Sequence, residues 1–212
     1  EEPSVSYPFS IMAAEKGEFQ DSFSEGDVIY IDGGVAEGLS AGDRFFVIAR
    51  DRELQHPVSR ASMGVLYRQL GQIKVLCAQE HSSICEITSA CDPVMIGSVL
   101  KPYRPIPVPL VTAPIPTDRC DEPNGMPTGY ITYAKDDIYE VGSDNLVVLD
   151  LGAVDGVYPG QFVTVFRDNP AAGMPRLVMG ELGVLTVEQG YSTAKVTQGW
   201  TSLRVGDRIE LK

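Results

Sequence analysis

Two histidines, one adjacent pair of aspartates, four cysteines and two Asp-x-Gly turns are the residues of this 212-residue chain whose types and spacing invite chemistry. His56 stands beside Pro57, and His81 sits at an expected hairpin tip. The H-E-x-x-H spacing that puts two imidazoles on one zinc ion is absent. No serine lies in G-x-S-x-G, so no nucleophile elbow is indicated. Asp32-Gly33-Gly34 has neither the Lys-Ser/Thr nor the following helix of a phosphate loop. Asp136 and Asp137 are neighbours, which on a strand face opposite ways and cannot serve as paired general acids. Asp32 and Asp150 occupy matching places and raise the option of calcium, but carboxylates capping their own turns explain the recurrence more simply. The residues therefore assign no catalytic group, no metal and no cofactor, and the expectation is a protein that is not an enzyme. Trp200, the single tryptophan, reads as a barrel-end plug or an interface anchor.

Cys77, Cys85, Cys91 and Cys120 are even in number and contain no C-x-x-C, a pattern that suits disulfides better than zinc. Three pairings are open. Cys77–Cys85 across a hairpin with Cys91–Cys120 pinning a linker is the favoured one, and the second bridge would contribute about 3–4 kcal/mol by closing its loop. Cysteines opposite one another on adjacent strands carry strain, which counts against the first bridge. The competing expectation is four thiols in a reducing compartment.

The elements that must position these groups come from a sentence written twice. Residues 145–167, NLVVLDLGAVDGVYPGQFVTVFR, read as strand, double turn, strand, and residues 27–50 repeat them without a gap. Asp32 falls on Asp150, Gly34 on Gly152, Gly38 on Gly156 and Gly42 on Gly160, while Leu39 falls on Val157, expected to point inward as a plug. These glycines supply turn conformations that other residues resist. Further on, residues 70–100 lie on residues 179–209, with Gly97 on Gly206. The offset is 118 residues in the front half and 109 in the back half, so the first copy carries nine extra residues within 43–69. Residues 9–14 and 130–134 are opening strands. Residues 51–63, polar and containing His56-Pro57, are expected to be loop or hairpin tip, and residues 79–83 a second hairpin turn.

Each copy thus offers about six short strands with glycine-rich turns and no helical period. The expected fold is all-β: a tandem repeat of two small β-barrel domains joined by a Pro-rich extended linker. The domains are residues 1–101 with an acidic N-terminal arm, a linker over 102–128, and residues 129–212. The linker region holds Pro105, Pro107 and Pro109 alternating with Ile106 and Val108, which favours an extended strut. Ile106, Val108 and Leu110 are more apolar than a solvated spacer needs and are interface candidates, with Trp200.

Composition limits the partners. A net charge of −12 speaks against nucleic acid, whose phosphates need clustered Lys and Arg, and against anionic membrane surfaces. No apolar stretch is long enough to span a bilayer as a helix. In the first 30 residues Glu1, Glu2, Glu15, Glu18, Asp21, Glu25 and Asp27 face only Lys16, a solvated arm or a dock for a basic partner. The start at Glu1 fits a mature terminus left by a removed signal peptide.

The paired pattern strand-D-x-G-x-x-[DE]-G-[VL]-x-x-G-x-x-[FV], followed by [IV]-G-[SD]-x-[IL], resembles the C-terminal module of flagellar assembly protein T. It also resembles the module that follows the LysM domain in the type IV pilus secretin-associated protein. Residues 7–34, YPFSIMAAEKGEFQDSFSEGDVIYIDGG, resemble the segment that precedes the two-copy region there. No LysM domain lies in this chain, so peptidoglycan binding does not carry over. The resemblance implies a periplasmic, outer-envelope or cell-surface bacterial protein. Its expected role is a non-catalytic scaffold or accessory subunit of a large envelope assembly, with protein partners and room for homo-oligomerisation. The competing expectation is an extracytoplasmic module binding a small molecule or glycan in a barrel mouth near Trp200 and Tyr191.

Overall fold

Alternation of apolar residues builds the strands, and glycine with Asp or Asn turns them. The computed structural model describes residues 7–18, 20–105 and 118–212. It is all-β, with twelve strands among the described residues: β1 Phe9–Ala14, β2 Val28–Ile31, β3 Arg44–Gln55, β4 Ser62–Ala78, β5 Ser83–Ala90, β6 Val99–Pro102, β7 Thr128–Ala134, β8 Leu146–Leu149, β9 Phe162–Arg167, β10 Leu177–Val187, β11 Ser192–Gly199 and β12 Arg208–Leu211. The chain forms two compact units: residues 1–54 with 62–105, and residues 55–61 with 106–212.

In the first unit the order is β1-β2-β5-β4-β3-β6, and β6 pairs back to β1 through Phe9–Leu100 and Ser10–Val99, closing a barrel. In the second, β7-β8-β11-β10-β9-β12 closes in the same order, with β12 returning to β7 through Arg208–Tyr130. Closure removes the sheet edges of each barrel wall, while β3 beyond Ile48 and β4 before Gly71 extend past the first barrel's paired strands. Both first strands carry a bulge at the matching place, between Ile11 and Ala13 and between Ile131 and Tyr133.

The cores correspond residue by residue. Ile11, Ile31, Val47, Ile73, Ile87, Val94 and Leu100 fill the first barrel, and Ile131, Leu149, Val165, Leu182, Val196, Leu203 and Ile209 the second. Leu39 and Val157, the expected plugs, are buried in their respective cores.

Two readings of the sequence need correction. Residues 51–63 are not mainly loop: β3 runs to Gln55 and β4 begins at Ser62, so the nine extra residues lengthen a two-stranded ribbon and leave a short tip. Gly71 lies inside β4 and does not break it, because the strand absorbs it at a register shift beside Gln72–Ile73.

Candidate interaction surface

The repeated motif is a docking pad between a loop and a hairpin. Val35 and Ala36 donate their N–H groups to the carbonyls of Gln79 and Glu80 at 2.7 and 2.9 Å, and Ala153 and Val154 do the same to Glu188 and Gln189 at 2.8 and 3.0 Å. The Glu37 carboxylate accepts the Gly34 N–H at 2.8 Å, and the Asp155 carboxylate the Gly152 N–H at 2.9 Å. Gly38 and Gly156 close the 3-10 turns in the left-handed region, at φ 88° and 83°. Gly42, Gly160, Gly97 and Gly206 share that conformation. His81 Nδ1 lies 3.0 Å from Glu37 Oε1, and this contact, then the Gly34 amide, holds the Glu37 carboxyl below its ordinary value. A depressed carboxylate adds stability above its unfolded pKa and loses it as pH falls through the folded one. His81→Ala should therefore move the Glu37 titration upward in a carboxyl-carbon NMR titration. An unmoved titration would remove His81 from the account.

Asp32 and Asp150 do not cap their own turns. The Asp32 carboxylate accepts both the N–H and the hydroxyl of Ser10, on the neighbouring first strand. The Asp150 carboxylate accepts the N–H of Tyr130, Ser10's counterpart. Tyr130 has no hydroxyl in reach, and the second oxygen of Asp150 instead meets His56 Nε2 at 2.9 Å, within the second unit. His56 Nδ1 accepts the N–H groups of Val58 and Ser59, so Nε2 carries the proton and donates it to Asp150. These carboxylates are consumed by backbone and side-chain donors, and among the described residues no group of three or more potential metal ligands assembles.

The disulfide expectation is overturned. All four cysteines are free thiols: Cys77, Cys91 and Cys120 are exposed and Cys85 is buried. Across β4 and β5, Cys85 pairs with Val75 and Cys77 with Ile84, with a register shift between, so one sulfur faces the core and the other solvent. Burial pushes the Cys85 thiol up to about 12. A maleimide reagent should modify three cysteines of the native chain rapidly and Cys85 only on unfolding. Four fast sites would contradict the burial.

Ser83 and Ser192 occupy matching buried positions but differ. Ser83 donates its hydroxyl to the Gly33 carbonyl at 2.6 Å, whereas the Ser192 hydroxyl has no partner among the described residues. Ser83→Ala should cost about 1 kcal/mol and Ser192→Ala nothing or less, read from urea midpoints. Equal losses would refute the difference.

Trp200 is half-buried, with the Arg119 guanidinium 5.9 Å from its ring. Ile106, Val108 and Leu110 lie outside the described residues.

The surface that reasoning from sequence missed is at the turn between the fifth and sixth strands of each barrel. In the first, Gly97 N–H donates to the Ile11 carbonyl at 2.8 Å, and Phe23 and Val94 exchange backbone hydrogen bonds. In the second, Gly206 donates to Ile131 at 2.7 Å, and Val141 and Leu203 exchange theirs. This rigid frame holds apolar side chains outward. Met12, Met95 and Ile96 of the first unit are 58%, 49% and 51% exposed, and Tyr139 and Val205 of the second are 76% and 39% exposed. In the second unit a cleft of about 430 Å3 opens there, lined by Tyr133, Ile138, Tyr139, Arg204 and Val205 among others. Beside it the buried Asp207 is engaged by Arg167 Nε and Nη2 at 2.5 and 2.8 Å, while Arg204 Nε stands 4.0 Å away and its side chain is half-exposed. The legible signal was the Val94-Met95-Ile96 run at a turn, where polar residues are the norm.

No protein-family model matches the chain, and no curated protein matches it by sequence. No helix among the described residues is long and apolar enough to cross a membrane.

Proposed function

We propose that this chain is a non-catalytic structural or accessory subunit of a bacterial cell envelope, acting by protein–protein contact as a scaffold in a larger assembly of the pilus-, flagellum- or secretin-associated type. The observation that carries the reading is the presentation of apolar side chains from the same hydrogen-bonded turn in both units, Met95 and Ile96 in one and Val205 in the other. Exposed apolar groups clustered on a rigid frame are characteristic of contact surfaces. We read the two units as tandem copies of one barrel joined by the proline-rich segment 102–128. Identical strand order and matched cores support that reading. The resemblance to the flagellar and pilus modules supplies the envelope location. The free thiols lend no support to an oxidising compartment.

Cross-linking in the native envelope, followed by mass spectrometry, tests the proposal. Recovery of the chain within a defined multi-protein assembly is expected. A chain that cross-links to nothing but itself or nothing at all would overturn it.

A second reading, a small-molecule or glycan module, is favoured by the cleft beside Tyr139 and Arg204. Amide chemical-shift changes confined to its lining on titration with wall glycans would support it, and a flat titration would dispose of it.

A further inference from the structure

In the first unit the exposed apolar turn does not stand alone. Phe23, buried at the centre of the β1–β2 connection, is hydrogen-bonded to Val94 at 2.7 and 3.0 Å, which fixes the connection against the strand end leading into Met95 and Ile96. Met12, on β1, follows Ile11, whose carbonyl accepts the Gly97 N–H of the same turn. Along the connection Glu15, Glu18, Asp21 and Glu25 are exposed, and none of the four makes an ion pair among the described residues. Its single cation, Lys16, is held by Asp27 at 2.9 Å, a contact that raises the lysine's pKa; the Ser24 N–H, then Lys16, lowers the aspartate's. The result is three exposed apolar side chains, Met12, Met95 and Ile96, on backbone segments hydrogen-bonded to one another, with four exposed carboxylates along the connection that the Phe23–Val94 bonds tie to the same turn.

We propose that Met12, Met95 and Ile96, with the acidic β1–β2 connection, form a docking surface for a basic amphipathic protein segment, one presenting Lys or Arg beside aliphatic or aromatic side chains. This rests on the scaffold reading and names the chemistry of one partner. Charge complementarity selects the occupant: four unpaired carboxylates repel an acidic segment and an anionic lipid surface alike, and they steer a cationic one. The apolar centre gives the affinity. Unbranched, polarisable methionine side chains fit themselves to varied partners, as an interface centre with a charged rim requires.

The test uses the full chain and a fluorescein-labelled 16-residue peptide of Lys and Leu in amphipathic order, with Lys/Ser and Glu/Leu peptides of the same length as controls. The Lys/Leu peptide is expected to bind at least about tenfold more tightly than either control. Met95→Ser with Ile96→Ser, at exposed turn positions, is expected to weaken it about tenfold or more. Glu18→Gln, Asp21→Asn and Glu25→Gln together should weaken it chiefly at low salt and flatten its salt dependence. Unchanged amide exchange in both variants confirms folding. Equal binding by wild type and the Met95/Ile96 variant, or preferential binding of anionic vesicles over the peptide, would overturn the proposal. Envelope cross-linking separates this failure from that of the scaffold reading: an assembly recovered equally by wild type and both variants refutes the surface alone, and no assembly for wild type refutes the scaffold.

Discussion

Arg176→Ala is expected to destabilise the second barrel by about 3–5 kcal/mol, the cost of leaving a buried charge without its partner. The Arg176 side chain is only 9% exposed and donates Nη1–H to Glu210 at 2.6 Å, and Glu210 is 3% exposed. The same guanidinium lies 4.7 Å from the Phe166 ring and donates to the carbonyls of Asp121 and Glu122 at 3.0 and 2.9 Å. One side chain therefore satisfies a buried carboxylate on β12 and the backbone of the segment leading into β7. Glu210 has a second donor in the Asn124 N–H, so the alanine variant strands the charge without stranding every lone pair. Arg176→Met with Glu210→Leu removes both charges at similar volume and should recover most of the loss. Amide exchange of β9 and β12 in the full chain reads the effect locally. A loss below about 1 kcal/mol for Arg176→Ala would place this pair with exposed ion pairs.

Gly152→Ala is the second large effect, about 3 kcal/mol, at the upper end of overpacking costs. The backbone there is extended, with φ −134°, so no conformational strain is involved. The reason is close approach: a Cβ at Gly152 would stand 2.5 Å from the Gln189 carbonyl oxygen, 2.5 Å from the Tyr191 nitrogen and 2.7 Å from the Glu188 oxygen. All three are backbone atoms of the β10–β11 turn and cannot rotate away. The loop would lift and release the Ala153 and Val154 hydrogen bonds. Gly156→Ala is the internal comparison. Its φ of 83° disfavours a side chain, but nothing lies within 4 Å of the added carbon, so about 1 kcal/mol is expected. Urea midpoints at unchanged slope rank the two. Gly156→Ala costing as much as Gly152→Ala would show that the close approach is not the reason for that glycine.

The sequence by itself determined most of the strands, their glycine turns and the repetition of their pattern, but not the length of β3 and β4. Period-two apolar alternation is local, and so are the glycines that turn it: Phe9–Ala14 begins and ends where its residues indicate, and Gly38, Gly97, Gly156 and Gly206 all adopt the left-handed conformation their turns require. Leu39 and Val157 face inward, as an apolar side chain at the mouth of a barrel core gains by burial. The tertiary structure alone decided who meets whom. Cys77 and Cys85 are close in sequence, yet the register shift in β4 sends their sulfurs to opposite faces, and no spacing rule encodes a bulge. Asp32 and Asp150 act on the preceding strand, about twenty residues away, because β2 pairs with β1 and β8 with β7. Barrel closure also brings β1 to the Met95-Ile96 turn: β6 returns to β1, and the Gly97 N–H, more than eighty positions along the chain, donates to the Ile11 carbonyl next to Met12.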